Sequence, residues 1–167
     1  MNTRKLARAA IIAALYVALC LALAPLAYGT VQIRFAEALT LLPVLCPEAI
    51  IGVTLGCFLA NMFYGMPVDM IVGTLATLLA ALATYRLRNV RWKGLPLAAS
   101  LPPVLFNAII IGAELTILFT PGAAAPVYFA NMASVGLGQL VSCSILGVLL
   151  VWLIEKNKPL HRLLTEN

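Results

Sequence analysis

Apolar residues dominate this chain in long runs, and short polar stretches divide them into six segments. The runs predict helices at about residues 6–27, 35–46, 48–63, 70–87, 95–119 and 127–154. The first run holds about 22 residues, enough for an α-helix to cross a hydrocarbon core of about 30 Å. The second is shorter, so we expect it to be tilted or to follow a loop that enters the membrane. The pattern predicts an all-α membrane protein, a bundle of six transmembrane helices that forms a single integral membrane domain over residues 1–167.

Two of the predicted helices carry prolines or acids that constrain their geometry. Pro47 suits a first helical turn, and Glu48 beside it complements the helix dipole, so we interpret Glu48 as a structural cap rather than a ligand contact. The pair Pro102-Pro103 should kink the fifth helix and free backbone carbonyls that must be satisfied inside the protein.

The composition agrees with the hydrophobic pattern. Of the 167 residues, 63% are hydrophobic and 10% are charged, whereas a soluble domain carries about 25% charged residues. So few charges cannot cover a water-exposed surface, and an integral membrane protein is expected.

The positions of the basic residues predict how the bundle is oriented. Ten of the eleven Lys and Arg residues fall on one side of the predicted helices, and Arg34 alone falls on the other. The ten are Arg4, Lys5, Arg8, Arg86, Arg88, Arg91, Lys93, Lys156, Lys158 and Arg162. The positive-inside rule then places both termini in the cytoplasm. It also argues against a nucleic-acid partner, because these basic loops act as topology signals that can contact anionic lipid or an acidic partner.

The stretch from Val31 to Leu39 holds an amide, a guanidinium and a carboxylate inside apolar surroundings. If residues 33 onward are helical, Arg34 and Glu37 lie three apart on one face and can pair. Two interpretations stay open. The pair neutralises itself at a helix start, or Gln32, Arg34 and Glu37 line a polar pocket that opens outward, as ionisable groups in membranes often do.

With this orientation, most remaining polar side chains fall toward the outer side. The candidate substrate-binding residues are Gln32, Arg34, Glu37, Asn61, Tyr64, Asp69, Glu114 and Asn131, with Asn107 and Gln139 deeper. The spacings place Asn107 on one helix face with Glu114, and Asn131 on one face with Gln139. Three acids and one base leave two net negative charges, which disfavours an anionic substrate and suits a cation or a neutral ligand rich in hydrogen-bond donors.

The first predicted helix carries an alanine every four residues, at positions 10, 14, 18 and 22, with Ala9 and Ala13 alongside. Small residues at this spacing form a smooth strip that lets another helix approach closely. The residues alone leave open whether that helix belongs to the bundle or to a partner.

Several classes of activity lack their signatures. No G-x-x-x-x-G-K-[ST] motif is present, so we expect no ATPase site in this chain. The four cysteines lie in apolar segments without C-x-x-C spacing, and His161 is the only histidine. We therefore expect neither a metal nor another cofactor, and a transporter subunit rather than an enzyme.

The chain resembles the QueT family of bacterial membrane proteins, which are substrate-binding S components of energy-coupling factor transporters. The resemblance covers nearly the full length. It rests on Val31-Gln-Ile-Arg-Phe-Ala-Glu-Ala-Leu39, Pro47-Glu-Ala-Ile-Ile-Gly52, Gly73-Thr-Leu-Ala-Thr77 and Asn107-Ala-Ile-Ile-Ile-Gly-Ala-Glu-Leu115. One departure is Gln139 in Gly136-Leu-Gly138-Gln139, where relatives often carry Glu, so the charge preference for substrate can differ here.

The resemblance implies uptake of a queuosine precursor, a 7-deazaguanine base, across the bacterial plasma membrane. It also implies a cytoplasmic N-terminus, a T component and two cytoplasmic ATPase subunits as partners, with Ala10 and Ala14 matching the A-x-x-x-A motif that docks on the T component. For such a base, Glu114 or Asp69 would supply a carboxylate. The amide would come from Asn107, Asn131 or Gln139, and the stacking ring from Tyr64 or Tyr128.

An alternative of another class stays open. The chain could be a stand-alone secondary permease for a nucleobase or small cationic solute, driven by protons through Glu37, Asp69 or Glu114. The alanine motif and the small size of the chain favour the S component.

Overall fold

The computed structural model of the protein describes residues 2–23, 34–64, 67–122 and 124–165, and these residues are helical with short connections. The described residues form seven α-helices: α1 (Thr3–Ala22), α2 (Glu48–Tyr64), α3 (Pro67–Arg86), α4 (Leu97–Phe119), α5 (Ala125–Gln139), α6 (Val148–Lys156) and α7 (Lys158–Thr165). A 3-10 helix covers Phe35–Val44, and a π-helical segment, Leu140–Gly147, joins α5 to α6. No β-strand occurs in these ranges.

The 3-10 helix lies at the centre of the bundle. Every residue from Ala36 to Val44 is buried, and the helix contacts α1, α2, α3, α4, α6 and the π-helical segment. The sequence predicted an α-helix over 35–46, whereas the observed segment is 3-10 and ends at Val44. At about 2.0 Å per residue, this winding carries ten residues over about 20 Å, against about 15 Å for an α-helix. The short segment therefore reaches farther through the bundle than α-helical winding would allow.

Helix α1 packs closely on α2 because two glycines remove side chains from the interface. A Cβ at Gly52 would lie 2.9 Å from the Ala9 carbonyl oxygen, and one at Gly56 would lie 2.7 Å from Cβ of Tyr16. At the ends of the same two helices, Arg8 Nη1 donates to Glu48 Oε1 over 2.7 Å. Glu48 thus lies in the first turn of α2, as predicted for a structural residue, and also pairs with α1.

Helix α4 continues through Pro102 and Pro103, both buried. A proline at 103 cannot donate to the carbonyl four residues earlier, that of Ala99. Thr84 Oγ1 donates to this carbonyl from α3 over 2.9 Å. The freed backbone group is therefore satisfied inside the protein, as the sequence predicted.

The chain from Ala125 to Lys156 is one continuous helical span of 32 residues, longer than the predicted 127–154. Beyond it, Lys158–Thr165 forms α7, which is not among the six predicted helices. The first helix also differs from the prediction, since it ends at Ala22 rather than near residue 27. Pro25 follows closely, and a proline disfavours helical backbone in the residue before it.

Four of these helical stretches are long and apolar enough to cross a membrane: Thr3–Ala22, Pro67–Arg86, Leu97–Phe119 and Ala125–Lys156. The stretches Phe35–Val44 and Glu48–Phe63 are apolar but shorter. The protein is thus an all-helical, multi-pass membrane protein, while six spans and cytoplasmic termini stay predictions. The start of α1 and helix α7, which both carry basic residues, lie together, since Arg4 and Arg162 line one cavity.

Candidate functional site

Glu37 brings a carboxylate into the centre of the bundle. It lies in the first turn of the 3-10 helix and is 2% exposed. Tyr16 of α1 donates its hydroxyl proton to Oε1 over 2.5 Å, whereas Oε2 has no hydrogen-bond partner among the described residues. One oxygen of this carboxylate is therefore held in place, and the other remains available as an acceptor.

Arg34 immediately precedes the 3-10 helix and supplies the positive charge of this region. It lies close enough to the carboxylates of Glu37, in the 3-10 helix, and Asp69, in α3, to interact with both electrostatically. Arg34 thus lies near acids from two different elements, while its direct pairing with Glu37 stays a prediction.

Helix α4 presents a buried polar face to the bundle. Asn107 is 4% and Glu114 is 6% exposed, and Ile111 between them is buried too, so the predicted shared face is confirmed. The Nδ2 atom of Asn107 has no hydrogen-bond partner among the described residues. The oxygens of Glu114 make no hydrogen bond of standard geometry among these residues, but its carboxyl lies close to that of Asp69 and interacts with it, and it also interacts with Arg34. Buried polar atoms without hydrogen bonds are costly, so this face is suited to a ligand that supplies them.

Two other predicted site residues join helices to one another. Asn61 Nδ2 donates to the backbone carbonyl of Asp69 over 2.9 Å, which fastens the end of α2 to the start of α3. Asn131 Nδ2 donates to Thr116 Oγ1 over 3.0 Å, between α5 and α4. These amide donors have protein partners, in contrast to that of Asn107.

Gln139 ends α5, where the π-helical segment begins. Its Oε1 accepts a hydrogen bond from Cys143 Sγ at 3.2 Å, and the same thiol lies 3.4 Å from the Glu37 carbonyl oxygen. Ser142, fully buried next to Cys143, has an Oγ without a partner among the described residues. Such π-helical turns within α-helices are frequent at functional sites, and this one faces the central 3-10 helix.

The structure does not describe every candidate. Gln32 and the side chain of Tyr64 lie outside the described residues. Tyr128, the other proposed stacking ring, has its hydroxyl 3.5 Å from the Ile109 carbonyl oxygen, at an exposed position on the surface of α4. It therefore packs beside the bundle rather than within the cluster around Glu37.

Sequence reasoning missed Tyr16, which is 1% exposed and bonded to Glu37. The sequence does contain a pattern that predicts its burial, namely the spacing of one helix face in Ala9, Ile12, Ala13 and Tyr16. All four are buried. A tyrosine on a buried, alanine-rich face needs a partner for its hydroxyl, and Glu37 is that partner.

The alanines of α1 divide between two faces. Ala9 and Ala13 are buried against α2, whereas Ala10 and Ala14 are exposed. The exposed pair is flanked by Ile11 and Leu15, at 58% and 50% exposure. The strip at positions 10 and 14 is therefore open to a helix outside the described chain, while contact within the bundle uses the neighbouring alanines.

No group of three or more His, Cys, Asp or Glu side chains suited to a metal occurs among the residues that the structure describes. The four thiols are free, and three of them are buried. The polar groups described at this site are carboxylates and amides, together with the Arg34 guanidinium and the Tyr16 hydroxyl.

Comparison with known proteins finds a family described as QueT transporter, whose profile matches residues 6–156. A relative from Lactococcus lactis subsp. cremoris (strain MG1363), described as queuosine precursor transporter QueT, is 42% identical over 71 residues. That match covers 41% of this chain and 42% of the relative, so it spans less than half of the relative's length. No solved structure matches the chain.

Proposed function

Because the chain belongs to the QueT transporter family, we propose that it is the substrate-binding membrane subunit of an energy-coupling factor importer and that it binds a queuosine precursor. In this proposal it lies in the bacterial plasma membrane, with six spans and both termini in the cytoplasm. It takes a 7-deazaguanine base from outside and releases it inward only with a T component and two ATPase subunits.

The observation that carries the substrate class is the buried face of Asn107 and Glu114. A 7-deazaguanine offers a ring N–H and an exocyclic amine on one edge, and both can donate to the Glu114 carboxylate. Its carbonyl oxygen accepts from Nδ2 of Asn107, the amide donor without a protein partner. The two residues are about 10 Å apart along the helix axis, a separation that side chains and a flat base can bridge.

The remaining candidates support this pair. Arg34 offsets the charge of Glu37 and Asp69. Asp69 is the second carboxylate that could accept hydrogen bonds from the ring N–H and the exocyclic amine of the base. Gln139 faces the same interior from the opposite helix, while Gln32 and Tyr64 are proposed to close the pocket on the outer side. A site matched in this way discriminates strongly, because an analogue without the donors leaves Glu114 unpaired.

The exposed strip at Ala10 and Ala14 supports the proposed coupling. In membranes, small side chains allow two helix backbones to approach closely. A T component docking there would leave the buried face of α1, with Tyr16 and Glu37, undisturbed. Binding and coupling would therefore use opposite faces of one helix.

The alternative is a stand-alone proton-coupled permease. The observation in its support is the burial of the carboxylates Glu37 and Glu114, either of which could carry a proton. Uptake separates the two proposals. The chain expressed alone in a host without T components should accumulate no 7-deazaguanine, and co-expression with a T component and the ATPases should restore ATP-dependent uptake. Uptake by the chain alone that collapses with the proton gradient would establish the permease instead.

The substrate is tested separately on the purified full-length chain. Titration against guanine, several 7-deazaguanines and common vitamins should show saturable binding of a 7-deazaguanine at least tenfold tighter than binding of any vitamin. Equal affinity for an unrelated vitamin would overturn the assignment of substrate class and leave the coupling proposal standing.

A further inference from the structure

A cavity lies on the side of the bundle, between the first two turns of α3 and the last three turns of α4. Its volume is about 210 Å³. The residues that line it all belong to these two helices, namely Val68, Val72, Ile110, Glu114, Ile117 and Leu118. Glu114 is the single polar side chain among the six. The cavity therefore connects an apolar wall to one carboxylate.

Exposure falls steeply from the mouth of this cavity toward the interior of the bundle. Ile117 is 69%, Val68 is 40% and Leu118 is 39% exposed, and these three side chains form the mouth. Glu114 is only 6% exposed. Asn107, on the same face of α4 and about 10 Å farther along the axis, is 4% exposed, and its Nδ2 has no hydrogen-bond partner among the described residues. The mouth, the carboxylate and the amide donor thus follow one another in order of depth.

Each wall of the cavity is fastened to a helix on its far side. Asn61 Nδ2 donates to the backbone carbonyl of Asp69 over 2.9 Å, which ties the start of α3 to α2. Asn131 Nδ2 donates to Thr116 Oγ1 over 3.0 Å, which ties the end of α4 to α5. The two walls are therefore held from behind by α2 and α5, while the side chains that face each other across the mouth are apolar.

The size of the cavity suits a passage better than a binding pocket. Pockets that enclose drug-sized ligands measure about 300–1,000 Å³, more than this cavity offers. Its position suits an amphipathic molecule, because the mouth lies at the ends of α3 and α4 and therefore near the surface of the membrane. Flat amphipathic rings, such as those of Trp and Tyr, favour the level of the lipid headgroups. A flat base with one polar edge has the same character.

We propose that the substrate enters its site from the side, through this cavity between α3 and α4. The inference rests on the proposed function, since it takes a 7-deazaguanine base as the molecule that enters. The base passes Val68 and Ile117 at the mouth and meets the Glu114 carboxylate with its ring N–H and exocyclic amine. It then reaches Asn107 with its carbonyl oxygen. The mouth residues control the rate of entry and do not contact the bound base.

The test measures association and dissociation of 7-deazaguanine on the immobilised full-length chain by surface plasmon resonance. The double variant Val68→Trp with Ile117→Trp narrows the mouth at two exposed positions. Both rate constants should fall together by about tenfold, and Kd should stay within about threefold of wild type, because an obstruction raises the barrier and leaves the free and bound states unchanged.

The double variant Ile71→Trp with Ile109→Trp is the matched control, since it adds the same bulk to the same two helices. Ile71 is 65% and Ile109 is 50% exposed, and neither lines the cavity. Its rate constants should stay within about twofold of wild type. Equal slowing in both double variants, or unchanged rates in the mouth variant, would overturn the proposal. Faster dissociation alone in the mouth variant would make the mouth residues contacts of the bound base and would also overturn it.

A second measurement tests the passage without substrate, so that failure of the proposed function is distinguishable. In a Cys20→Ala background, Glu114→Cys places a thiol at the inner end of the cavity and Val72→Cys places one on its wall. N-ethylmaleimide should modify both thiols, and adding Val68→Trp with Ile117→Trp should slow each reaction about tenfold.

Two labelling results would overturn the passage. An unreactive thiol at position 114 beside a reactive one at position 72 would show that the cavity ends before the carboxylate. Labelling at an unchanged rate in the mouth variant would show that the carboxylate is reached from another direction. If labelling slows as expected and wild type does not bind 7-deazaguanine, the lateral passage is supported and the proposed substrate class is overturned.

Discussion

Carboxylates in this bundle differ in how completely the protein satisfies them. Glu48 pairs with Arg8, and Glu37 accepts from Tyr16 on one oxygen, whereas neither oxygen of Glu114 makes a hydrogen bond of standard geometry among the described residues. A buried acceptor without a donor costs about 1–3 kcal/mol or more when charged. Glu114 is therefore the acid that a ligand would stabilise most.

The change Glu114→Gln tests this at constant shape. It should weaken binding of a 7-deazaguanine by about 1.5–3 kcal/mol, the range for a hydrogen bond to a charged group, or roughly tenfold to a hundredfold in Kd. Isothermal titration of the purified variant measures it. Glu155→Gln, which changes an exposed acid paired with Arg91, is the matched control and should bind as wild type does.

If Asp69→Asn abolishes binding while Glu114→Gln does not, the carboxylate that reads the ligand comes from the start of α3. If neither variant weakens binding, the donor edge is recognised by amides or backbone groups, and the acid cluster has another role.

Tyr16→Phe should destabilise the bundle by about 0.6–1.7 kcal/mol, the range for hydrogen bonds between membrane helices. The substitution removes the donor to Glu37 Oε1. Thermal unfolding in detergent measures the loss. Tyr85→Phe, at the basic end where Arg88 lies over the ring, serves as the comparison. An equal change in unfolding temperature in both variants would show that the buried Tyr16 hydroxyl contributes no more to stability than that of Tyr85.

Among the elements, α1 has two functional faces made from the same residue type. Ala9 and Ala13 allow close contact with α2, and Ala10 and Ala14 face outward. The spacing of the alanines predicted the strip. It could not decide which set faced inward, because two adjacent alanine rows are indistinguishable without the glycines of α2 opposite one of them.

Ala10→Trp with Ala14→Trp should leave ligand affinity within about threefold of wild type and abolish uptake that depends on a T component, because the bulk lies outside the bundle. Ala9→Trp with Ala13→Trp is the matched pair on the inner face and should prevent stable folding instead. Ligand titration, coupled uptake and thermal unfolding distinguish the two. Loss of ligand binding in the folded outer-face variant would contradict the division of faces.

For the 3-10 helix, the sequence predicted the position of a helix but not its type. The apolar run from Phe35 predicted a helix at the right place, and its shortness predicted unusual geometry. The winding itself could not be predicted, because every residue from Ala36 to Val44 is buried and a segment that is apolar on all sides has no periodicity to separate 3-10 from α-helical winding. Likewise, the terminal α7 escaped prediction because eight residues hold too few periods to separate an amphipathic helix from a polar tail.

For the whole molecule, hydrophobic runs and charge were enough to predict an all-helical membrane protein. The site was predicted less completely. Sequence spacing placed Asn107 and Glu114 together on one face. It also assigned Asn61 and Asn131 to the pocket; each of these bridges two helices, and their contact with a ligand stays a prediction. Which amide is left without a partner depends on contacts between helices far apart in the chain.

Orientation is tested on intact cells with an impermeant thiol reagent, in a Cys20→Ala background because the other three cysteines are buried. A cysteine introduced at Asn89 should be shielded and one introduced at Ala124 should react, since ten of eleven basic residues predict the Asn89 end to be cytoplasmic. Both positions are exposed, so accessibility reports only the side of the membrane. The reverse labelling pattern would show that the protein has the opposite orientation in the membrane, with the proposed pocket on the cytoplasmic side.

The 3-10 winding of Phe35–Val44 gives the bundle a central strut that is longer than an α-helix of the same ten residues. Ten residues measure about 20 Å in this form and about 15 Å as an α-helix. An ordinary amphipathic helix has one face that can vary without touching the core. This segment is buried from Ala36 to Val44 and contacts several helices, so a change of side-chain volume along it is felt by more than one helix at once.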